Sequence, residues 1–363
     1  MPLKLPVAWP FWCLVSPVIS AALLGVLMTV QLTGVLTSLV AVVLMAATLS
    51  AVHHAEVIAH RVGEPFGSLV LAVAVTVIEV ALIVSLMLAG GEAAAATARD
   101  TVFSAVMIVL NGVVGLCILL GGLRHKELDF RVEGTSPALA VLVALATLTM
   151  VLPVFTTSAP GPVFSASQLI FVGVASLVLY GAFVFVQTVR HRDYFLPIRN
   201  VSNDEVHAAP PSMKVAWGSL VLLLICLVCV VGLAKLLAPG IEMAVKAAAA
   251  PPSVVGVIVA MLVLLPETIA AVRAALHNRL QTSLNLALGS GIASIGLTIP
   301  AVALLSMFLP YPLVLGLSTV NMVLLGLSFI VGILTFGGGR ATVLQGAVHL
   351  VLFAVFLFLA VVP

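Results

Sequence analysis

The stretch Gly67-Ser-Leu-Val-Leu-Ala-Val-Ala-Val-Thr-Val-Ile-Glu79 runs through a mostly apolar segment to a single glutamate. A second stretch, Gly256-Val-Ile-Val-Ala-Met-Leu-Val-Leu-Leu-Pro-Glu267, follows the same plan, and the two begin near Pro65 and Pro252. Each glutamate lies about 15 residues into its run, which places it on the order of 22 Å from the end of an α-helix. We therefore expect two membrane-spanning helices, each with one carboxyl group near the middle of the bilayer.

The composition of the whole chain supports a membrane protein. Of 363 residues, 63% are hydrophobic and 8% are charged, against about 25% charged residues in an average soluble domain. Only a lipid bilayer solvates this much apolar surface without cost. The net charge of +2 gives no reason to expect a nucleic-acid partner.

Hydropathy windows of about 19 residues predict eleven membrane helices. Charge clusters and Gly or Pro mark the breaks, among them Gly121-Gly122, Pro239-Gly240, Pro251-Pro252 and Gly337-Gly338-Gly339. The predicted helices span residues 6–28, 33–58, 64–90, 98–123, 136–155, 165–189, 213–237, 252–276, 282–309, 311–334 and 340–362. The first run is too long for a signal peptide, so we expect it to be retained as a helix.

The hydrophilic segment 190–212 divides the predicted helices into two groups. Residues 1–32 form an extra N-terminal helix, 33–189 a first five-helix repeat, and 213–363 a second. Because five is odd, the second repeat enters the membrane with the opposite orientation. The predicted fold is an all-α membrane protein with inverted repeats, a plan that places a transport site near the midplane.

The Lys and Arg positions predict the orientation of the chain. If the N-terminus is cytoplasmic, twelve cations lie in cytoplasmic segments and three (Arg99, Lys235 and Lys246) lie outside. This asymmetry follows the positive-inside rule. The N-terminus and the linker 190–212 are therefore expected to be cytoplasmic and the C-terminus external.

Glu79 and Glu267 stand apart from the other acidic residues. Of the 13 acidic side chains, the remaining eleven fall in predicted loops or at helix ends. An ionised carboxylate in hydrocarbon is costly and marks function by default, and no predicted helix carries a Lys or Arg at mid-height to neutralise it. A cation from solution or a proton is the remaining partner. A protonated glutamate hydrogen-bonded between helices is the structural alternative.

Small polar residues lie on the helices that carry or follow these glutamates. Ser68 and Thr76 share a face of the third helix with Glu79, at helical spacing. Further candidates are Ser104 and Asn111 on the fourth helix and Ser290 and Ser294 on the ninth. Hydroxyl and amide oxygens are hard ligands suited to Ca²⁺ or Na⁺. Packing between helices is the alternative role for each of them.

Two segments resemble the paired repeats of the cation/calcium exchanger superfamily. They run from His53-His54-Ala-Glu-Val-Ile-Ala-His60 to Glu79, and from Leu265-Pro266-Glu267 to Gly289-Ser290. Calcium/proton antiporters of the ChaA type are the most similar group, and the resemblance covers nearly the whole chain. It implies a ten-helix inverted core plus one helix, with Glu79 and Glu267 at the ion site. The chain departs from the common Gly-Asn-x-x-Glu pattern, since Pro266 precedes Glu267.

These observations predict a secondary transporter of a bacterial inner (plasma) membrane, not an enzyme. The sequence has no paired Asp, no Ser/His elbow and no H-E-x-x-H motif. The expected function is export of Ca²⁺ in exchange for H⁺. A Na⁺(K⁺)/H⁺ antiporter on the same scaffold and a cation channel are the alternatives. The expected partners are inorganic cations, protons and lipid, with no cofactor, and the sequence does not predict an oligomeric state.

The remaining polar residues give weaker signals. The four cysteines, Cys13, Cys117, Cys226 and Cys229, are expected to be buried, inert thiols, since structural zinc wants four ligands. His53, His54 and His60 are predicted to be interfacial, with pH sensing as the alternative. The lone His349 is expected to be hydrogen-bonded inside the last helix. Asp100 is expected to be a solvated charge at a helix end.

Overall fold

The computed structural model describes residues 9–27, 34–63, 66–197, 210–308 and 310–363. Almost all of this part of the chain is helical. The α-helices are α1 Phe11–Leu27, α2 Gly34–Val62, α3 Phe66–Gly90, α4 Thr97–Met107, α5 Val114–His125, α6 Val132–Ala146, α7 Ala166–Phe185, α8 Met213–Ala247, α9 Ser253–Leu276, α10 Leu280–Ala293, α11 Ile299–Ser306, α12 Thr319–Phe336 and α13 Val343–Val361. The strands are β1 Glu127–Asp129 and β2 Arg340–Thr342.

Several of these helices join into single spans through short π-helical or 3₁₀ segments. The π-helical segments are Ile108–Val113 between α4 and α5, Thr147–Val151 after α6, Val186–Arg190 after α7, and Ser294–Thr298 between α10 and α11. Counted this way, the described residues contain ten helices long and apolar enough to cross a membrane, and α1 is a shorter apolar helix. The prediction of an all-α membrane protein is confirmed.

Three predicted helix boundaries differ from the structure. Helix α8 continues through the predicted break at Pro239-Gly240, and Gly121-Gly122 lies inside α5. In lipid an interrupted helix exposes polar backbone groups, which favours continuation through Pro and Gly. The tenth span, predicted to begin at residue 311, begins at Thr319 because the preceding residues form a loop in which Val314 pairs with Val163.

The chain divides into two compact units. The first comprises Met1–Ala89 and Val201–Ile241, and the second comprises Gly90–Asn200 and Glu242–Pro363. Within the described residues, the first unit thus holds α1, α2, nearly all of α3 and most of α8. The second unit holds the remaining helices and both strands.

In the first unit, α1 is attached to α2 through a backbone oxygen that a proline leaves available. Pro17 lies inside α1 and has no N–H, so it cannot donate to the carbonyl oxygen of Cys13 four residues earlier. Ser50 Oγ donates to this oxygen at 3.0 Å, and His54 Nε2 lies 3.0 Å from it. The polar side chains of α2 therefore hold α1 by satisfying one of its own backbone groups.

The same polar cluster reaches α8. Ser219 Oγ accepts a 3.0 Å hydrogen bond from Trp9 Nε1 and lies 3.4 Å from His54 Nδ1. Since His54 Nε2 faces a carbonyl, that nitrogen carries the proton of the neutral ring, and the Ser219 hydroxyl donates to Nδ1. His54 is 0% exposed. The prediction that His54 is an interfacial histidine is therefore wrong, because its partners come from helices that the sequence does not bring together.

In the second unit, the span α4–α5 runs parallel to α9. A Cβ atom on Gly256 would lie 2.6 Å from the carbonyl carbon of Asp100, and one on Gly121 would lie 3.3 Å from the carbonyl oxygen of Ala275. His125 Nε2 lies 3.0 Å from the carbonyl oxygen of Leu276. Only glycine at position 256 permits this backbone approach, which brings the start of α9 directly against α4.

Helix α13 packs against α5 in the antiparallel direction, again through glycines. A Cβ atom on Gly346 would lie 2.6 Å from the amide nitrogen of Leu119, and one on Gly115 would lie 2.9 Å from the Cβ atom of His349. The absence of side chains at these positions lets the two helices approach closely. His349 is thereby held beside the middle of the α4–α5 span.

Two short pairings connect loops of the second unit. Strands β1 and β2 pair antiparallel, with Leu128 opposite Ala341. Arg340 lies across from both acids of β1, 3.5 Å from Glu127 and 3.6 Å from Asp129. Elsewhere, Val163 forms a bridge with Val314. These contacts join the α5–α6 loop to the α12–α13 loop, and the α6–α7 loop to the α11–α12 loop.

Candidate cation-binding residues

Glu79 lies deep in α3, in the first unit. It is the fourteenth residue of a helix that begins at Phe66, which places it roughly 20 Å along the axis. Its side chain is 3% exposed, and Thr76 one turn earlier is also buried. The helix places both on neighbouring positions of one face. The main chain of Ser68 lies in the first turn of α3, but its side chain lies outside the described residues.

Glu267 lies at the corresponding depth of α9, in the second unit. It is the fifteenth residue of a helix that begins at Ser253, and it is half-buried. Pro266 precedes it inside the helix and has no N–H, so the carbonyl oxygen of Leu262 loses its helical donor there. The helix thus carries the Glu267 carboxylate and, about one turn away, the Leu262 carbonyl, which lacks the donor that a non-proline residue at 266 would supply. Carboxylate and carbonyl oxygens are both ligands for hard cations.

Asn111 and Glu267 share one depth on parallel helices. Asp100 packs against Gly256 near the start of both spans. Asn111 follows Asp100 by eleven residues, and Glu267 follows Gly256 by eleven residues. Because the two spans run in the same direction, Asn111 in the π-helical segment Ile108–Val113 lies level with Glu267.

The amide of Asn111 is hydrogen-bonded to two other helices. Its Nδ2 donates to Ser328 Oγ on α12 at 2.8 Å, and its Oδ1 lies 3.2 Å from His349 Nδ1 on α13. His349 Nε2 lies 3.0 Å from Thr335 Oγ1. The prediction that His349 is hydrogen-bonded inside the last helix is confirmed. The predicted contribution of Asn111 to a cation site stays a prediction.

Sequence reasoning missed Ser328 and Thr335. Both are buried polar residues in an otherwise apolar helix, and they lie seven residues apart, two turns along one face of α12. That spacing is a signal that could have drawn attention to them. Their partners could not have been found, since Asn111 and Ser328 are separated by 217 residues of sequence.

The other predicted candidates lie on helices of the second unit. Ser104 is buried and donates to the carbonyl oxygen of Asp100 in its own helix at 2.6 Å. Ser294 is buried in the π-helical segment Ser294–Thr298, and Ser290 is half-buried in α10. A Cβ atom on Gly291 would lie 3.4 Å from Val109, so α10 packs against the π-helical segment that carries Asn111.

Asp100 is buried and forms an ion pair, whereas the sequence predicted a solvated charge at a helix end. It is 7% exposed, and its Oδ1 lies 2.8 Å from both Nε and Nη2 of Arg99. Arg99 Nη1 donates to the carbonyl oxygen of Gly316 at 3.0 Å. The prediction failed because the close approach at Gly256 covers Asp100 with the backbone of α9. A carboxylate neutralised in this way is a poor attractor for passing cations.

Neither unit, as far as the structure describes it, contains three or more His, Cys, Asp or Glu side chains grouped so that they could hold a metal ion. All four cysteines are buried and free, as predicted.

Comparison with known proteins gives consistent results. The sodium/calcium exchanger protein family matches residues 6–189 and 218–362. The chain is 50% identical over 357 residues to the putative ionic transporter y4hA of Sinorhizobium fredii, covering 98% of this chain and 97% of that one. It is 35% identical over 349 residues to the sodium-potassium/proton antiporter ChaA of Escherichia coli, covering 95% and 94% of the two chains.

The fold is similar to that of YfkE. The structure of native YfkE superimposes with a TM-score of 0.73 at 18% identity, covering 97% of this chain and all of that chain, 100%. A selenium-substituted structure of the same protein, described as a Ca²⁺/H⁺ antiporter, gives a TM-score of 0.72 at 16% identity, with 97% and 99% coverage. At these identities the likeness shows the fold alone.

Proposed function

Because the chain belongs to the sodium/calcium exchanger family of secondary transporters, we propose that it exports Ca²⁺ in exchange for H⁺. Glu79 and Glu267 are the proposed carriers of both ions. Ser68, Thr76, Ser104, Asn111, Ser290 and Ser294 are proposed to support them. Alternating access around the two glutamates moves the ions across the bilayer.

The observation that carries the proposal is the position of the two carboxyl groups. Each lies near the middle of an apolar helix, and the predicted helices carry no Lys or Arg at that height. With both glutamates protonated, their combined charge is zero. With both ionised and one Ca²⁺ bound, the combined charge is also zero. With no ion bound they carry two negative charges in a region of low dielectric constant, which is costly.

This charge balance explains obligatory exchange. The conformational change that moves the glutamates between the two faces is favourable only when they are neutral. Two protons or one Ca²⁺ satisfy that condition, and the empty pair does not. The two glutamates therefore change the face of the membrane to which they open only when they carry Ca²⁺ or protons. This requirement couples the Ca²⁺ flux to the H⁺ flux.

A Na⁺(K⁺)/H⁺ antiporter is the second candidate. The 35% identical relative in Escherichia coli is named a sodium-potassium/proton antiporter, and this supports monovalent transport. One Na⁺ leaves the two carboxylates with a net charge of −1 unless a second cation or a proton joins it. The family is named for an exchanger and the relative in Escherichia coli is named an antiporter, which supports exchange over a cation channel.

Proton flux in vesicles distinguishes these candidates. Purified protein is reconstituted into proteoliposomes with an acidic lumen and a luminal pH dye, and Ca²⁺, Na⁺ or K⁺ is added outside. A Ca²⁺/H⁺ antiporter raises the luminal pH on addition of Ca²⁺ and responds weakly to Na⁺ and K⁺. Alkalinisation by Na⁺ or K⁺ without a Ca²⁺ response would establish the second candidate, and Ca²⁺ uptake without any proton flux would contradict antiport.

We also propose the arrangement in the membrane. The chain lies in a bacterial inner membrane with a cytoplasmic N-terminus, and residues 33–189 and 213–363 form inverted five-helix repeats joined by the linker 190–212. The asymmetric distribution of Lys and Arg supports the orientation, and the similar position of one glutamate in each half supports the repeat.

A further inference from the structure

Four polar side chains of the second unit meet in the apolar interior. Their described hydrogen bonds to one another join neutral groups. Asn111, Ser328 and His349 are each 0% exposed, and Thr335 is 3% exposed. They come from the π-helical segment Ile108–Val113, from α12 and from α13. Burying four such groups is costly unless every hydrogen bond is made.

The direction of each hydrogen bond in this cluster follows from one fixed donor. Ser328 Oγ donates to the carbonyl oxygen of Leu324 in its own helix at 2.8 Å. It therefore accepts from Asn111 Nδ2, which turns the Asn111 carbonyl oxygen toward His349 Nδ1 at 3.2 Å. Nδ1 must carry the proton, so Nε2 accepts from the Thr335 hydroxyl at 3.0 Å.

The neutral form of His349 thus completes the cluster. It supplies the donor that the Asn111 carbonyl needs and the acceptor that Thr335 needs. An amide whose nitrogen and oxygen are both engaged in this way is held in one orientation. The side-chain carbonyl oxygen of Asn111 points to α13, where it accepts the hydrogen bond from His349 Nδ1.

The cluster lies at a position that matters for transport. Asn111 is level with Glu267 on the neighbouring parallel helix, and α10 packs against the same π-helical segment at Val109. A π-helical segment shifts the backbone hydrogen bonds of a helix by one residue and is frequent at functional sites. The hydrogen bonds of Asn111 to α12 and α13 hold this segment from outside its own helix.

We propose that His349 is a positioning residue, which anchors Asn111 and so fixes the π-helical segment Ile108–Val113 beside the height of Glu267. Asn111 then supports the two glutamates through its helix and not as a direct ligand of the transported cation. This inference rests on the proposed function, in which Glu267 carries the cation. The inference implies that the cluster affects the apparent affinity for the cation and does not affect the pH dependence of transport.

The test compares cation transport by His349→Leu, His349→Gln and the wild type in proteoliposomes. Leucine keeps similar volume but leaves the Asn111 oxygen without a donor in an apolar site, so the cation KM should rise about tenfold with the maximal rate within about twofold. Glutamine offers an N–H and a carbonyl oxygen, and it should bring the KM back to within about threefold of the wild type. The pH profile of His349→Gln should match that of the wild type.

Ser176→Ala is the matched control. Ser176 is equally buried, and its hydroxyl donates only to the carbonyl oxygen of Val172 in α7, at 2.8 Å. Its KM should stay at the wild-type value. A KM change in Ser176→Ala as large as that in His349→Leu would mean a general packing effect and would overturn the inference.

The remaining outcomes also decide the matter. An unchanged KM in His349→Leu overturns the inference. A displaced pH profile in His349→Gln also overturns it, because the imidazole would then titrate during transport. If His349→Leu does not fold, Thr335→Val is used in its place. This substitution removes the donor to His349 Nε2 and should raise the cation KM about threefold. An unchanged KM in Thr335→Val would contradict the proposed positioning role of His349. Glu267→Gln, assayed in parallel, tests the proposed function separately: wild-type transport by that variant refutes the function itself.

Discussion

His54 Nε2 lies 3.0 Å from the carbonyl oxygen of Cys13, an oxygen that Pro17 deprives of its helical donor. The proline of one helix thus creates the acceptor that the histidine of the next helix needs. In a bilayer neither group has water as an alternative partner. Pro17 and His54, which lie in different helices, thus act together with Ser50 in the attachment of α1 to α2.

The first prediction concerns this pair. His54→Leu should lower the thermal midpoint of the solubilised protein, because the Cys13 oxygen keeps only the Ser50 donor and the Ser219 hydroxyl loses its acceptor, at a cost of about 0.5–1.5 kcal/mol for each hydrogen bond. In a Pro17→Ala background the restored N–H of residue 17 can bond Cys13 O, and the same substitution should cost clearly less. Fluorescence-detected size-exclusion chromatography after heating measures all four proteins. Ser38→Ala, which alters an exposed hydroxyl of α2, is the control. Equal losses in both backgrounds would show that the two residues are not coupled.

A second prediction concerns the contact between α4 and α9. Gly256→Ala places a methyl group 2.6 Å from the carbonyl carbon of Asp100 and 2.7 Å from the amide nitrogen of Thr101. Backbone atoms cannot rotate away, so the helices must separate, at a cost of about 1–3 kcal/mol. Gly181→Ala in α7, where no atom lies within 4 Å, should leave the thermal midpoint unchanged or raise it. A Gly256→Ala protein as stable as Gly181→Ala would disprove the close approach.

A third prediction tests the two glutamates. Glu79→Gln and Glu267→Gln should each abolish transport while the protein still inserts and stays monodisperse in detergent. Glutamine keeps the size of the side chain and removes the titratable charge, and a neutral amide is less costly in hydrocarbon than a carboxylate. Glu127→Gln in β1 is the control and should stay active, since its exposed pairing with Arg340 contributes little. Normal proton-coupled uptake by either mid-membrane variant would rule out the assignment.

A fourth prediction concerns the competition between cations and protons. Protons and Ca²⁺ bind the same carboxylate oxygens, so lowering the pH must weaken the apparent Ca²⁺ affinity. Where two protons leave per Ca²⁺, the affinity falls up to about a hundredfold per pH unit. Replacing one glutamate by glutamine should roughly halve the slope. Calorimetric titration of solubilised protein at several pH values measures it, and a slope near zero between about pH 6 and 8 would end the shared-site mechanism.

A fifth prediction concerns orientation. Alkaline phosphatase fused after Pro363 should be active and green fluorescent protein at the same position should be dark, because the positive-inside rule places the C-terminus outside. The same reporters fused within the linker 190–212 should give the opposite result. Matching results at both positions would mean that the number of spans between them is even, contrary to the five helices predicted between them.

Much of the fold could be predicted because a bilayer imposes a simple rule. A span needs about 20 apolar residues with every backbone group bonded internally, so hydropathy alone locates it. The same rule explains the errors. Pro239-Gly240 suggested an end to α8, but lipid penalises an open helix end. Helix α12 begins only at Thr319, because residues 310–318 form a loop in which Val314 pairs with Val163.

The candidate site could be predicted in part for a different reason. A charge inside an apolar helix is rare, so Glu79 and Glu267 stand out without knowledge of the fold. Neutral polar residues are common in such helices, and their roles depend on partners. Asn111 and His349 lie 238 residues apart in sequence, and His54 finds its partners on α1 and α8. A single sequence contains no information on which of these residues meet.

The two short strands have a consequence for the parity of the chain's crossings. Hydrogen-bonded loops lie on one side of a membrane, so the chain crosses an even number of times between Asp129 and Arg340; the spans of α6, α7, α8, α9, α10–α11 and α12 satisfy this. The bridge between Val163 and Val314 imposes the same condition on the four spans that it encloses. One span too many or too few among α7–α11 would break both pairings at once. The pairing of β1 with β2 thus places the basic side chains at 124, 126, 131 and 340 on the same side of the membrane. This conclusion follows from the number of spans between the strands and does not use the positive-inside rule.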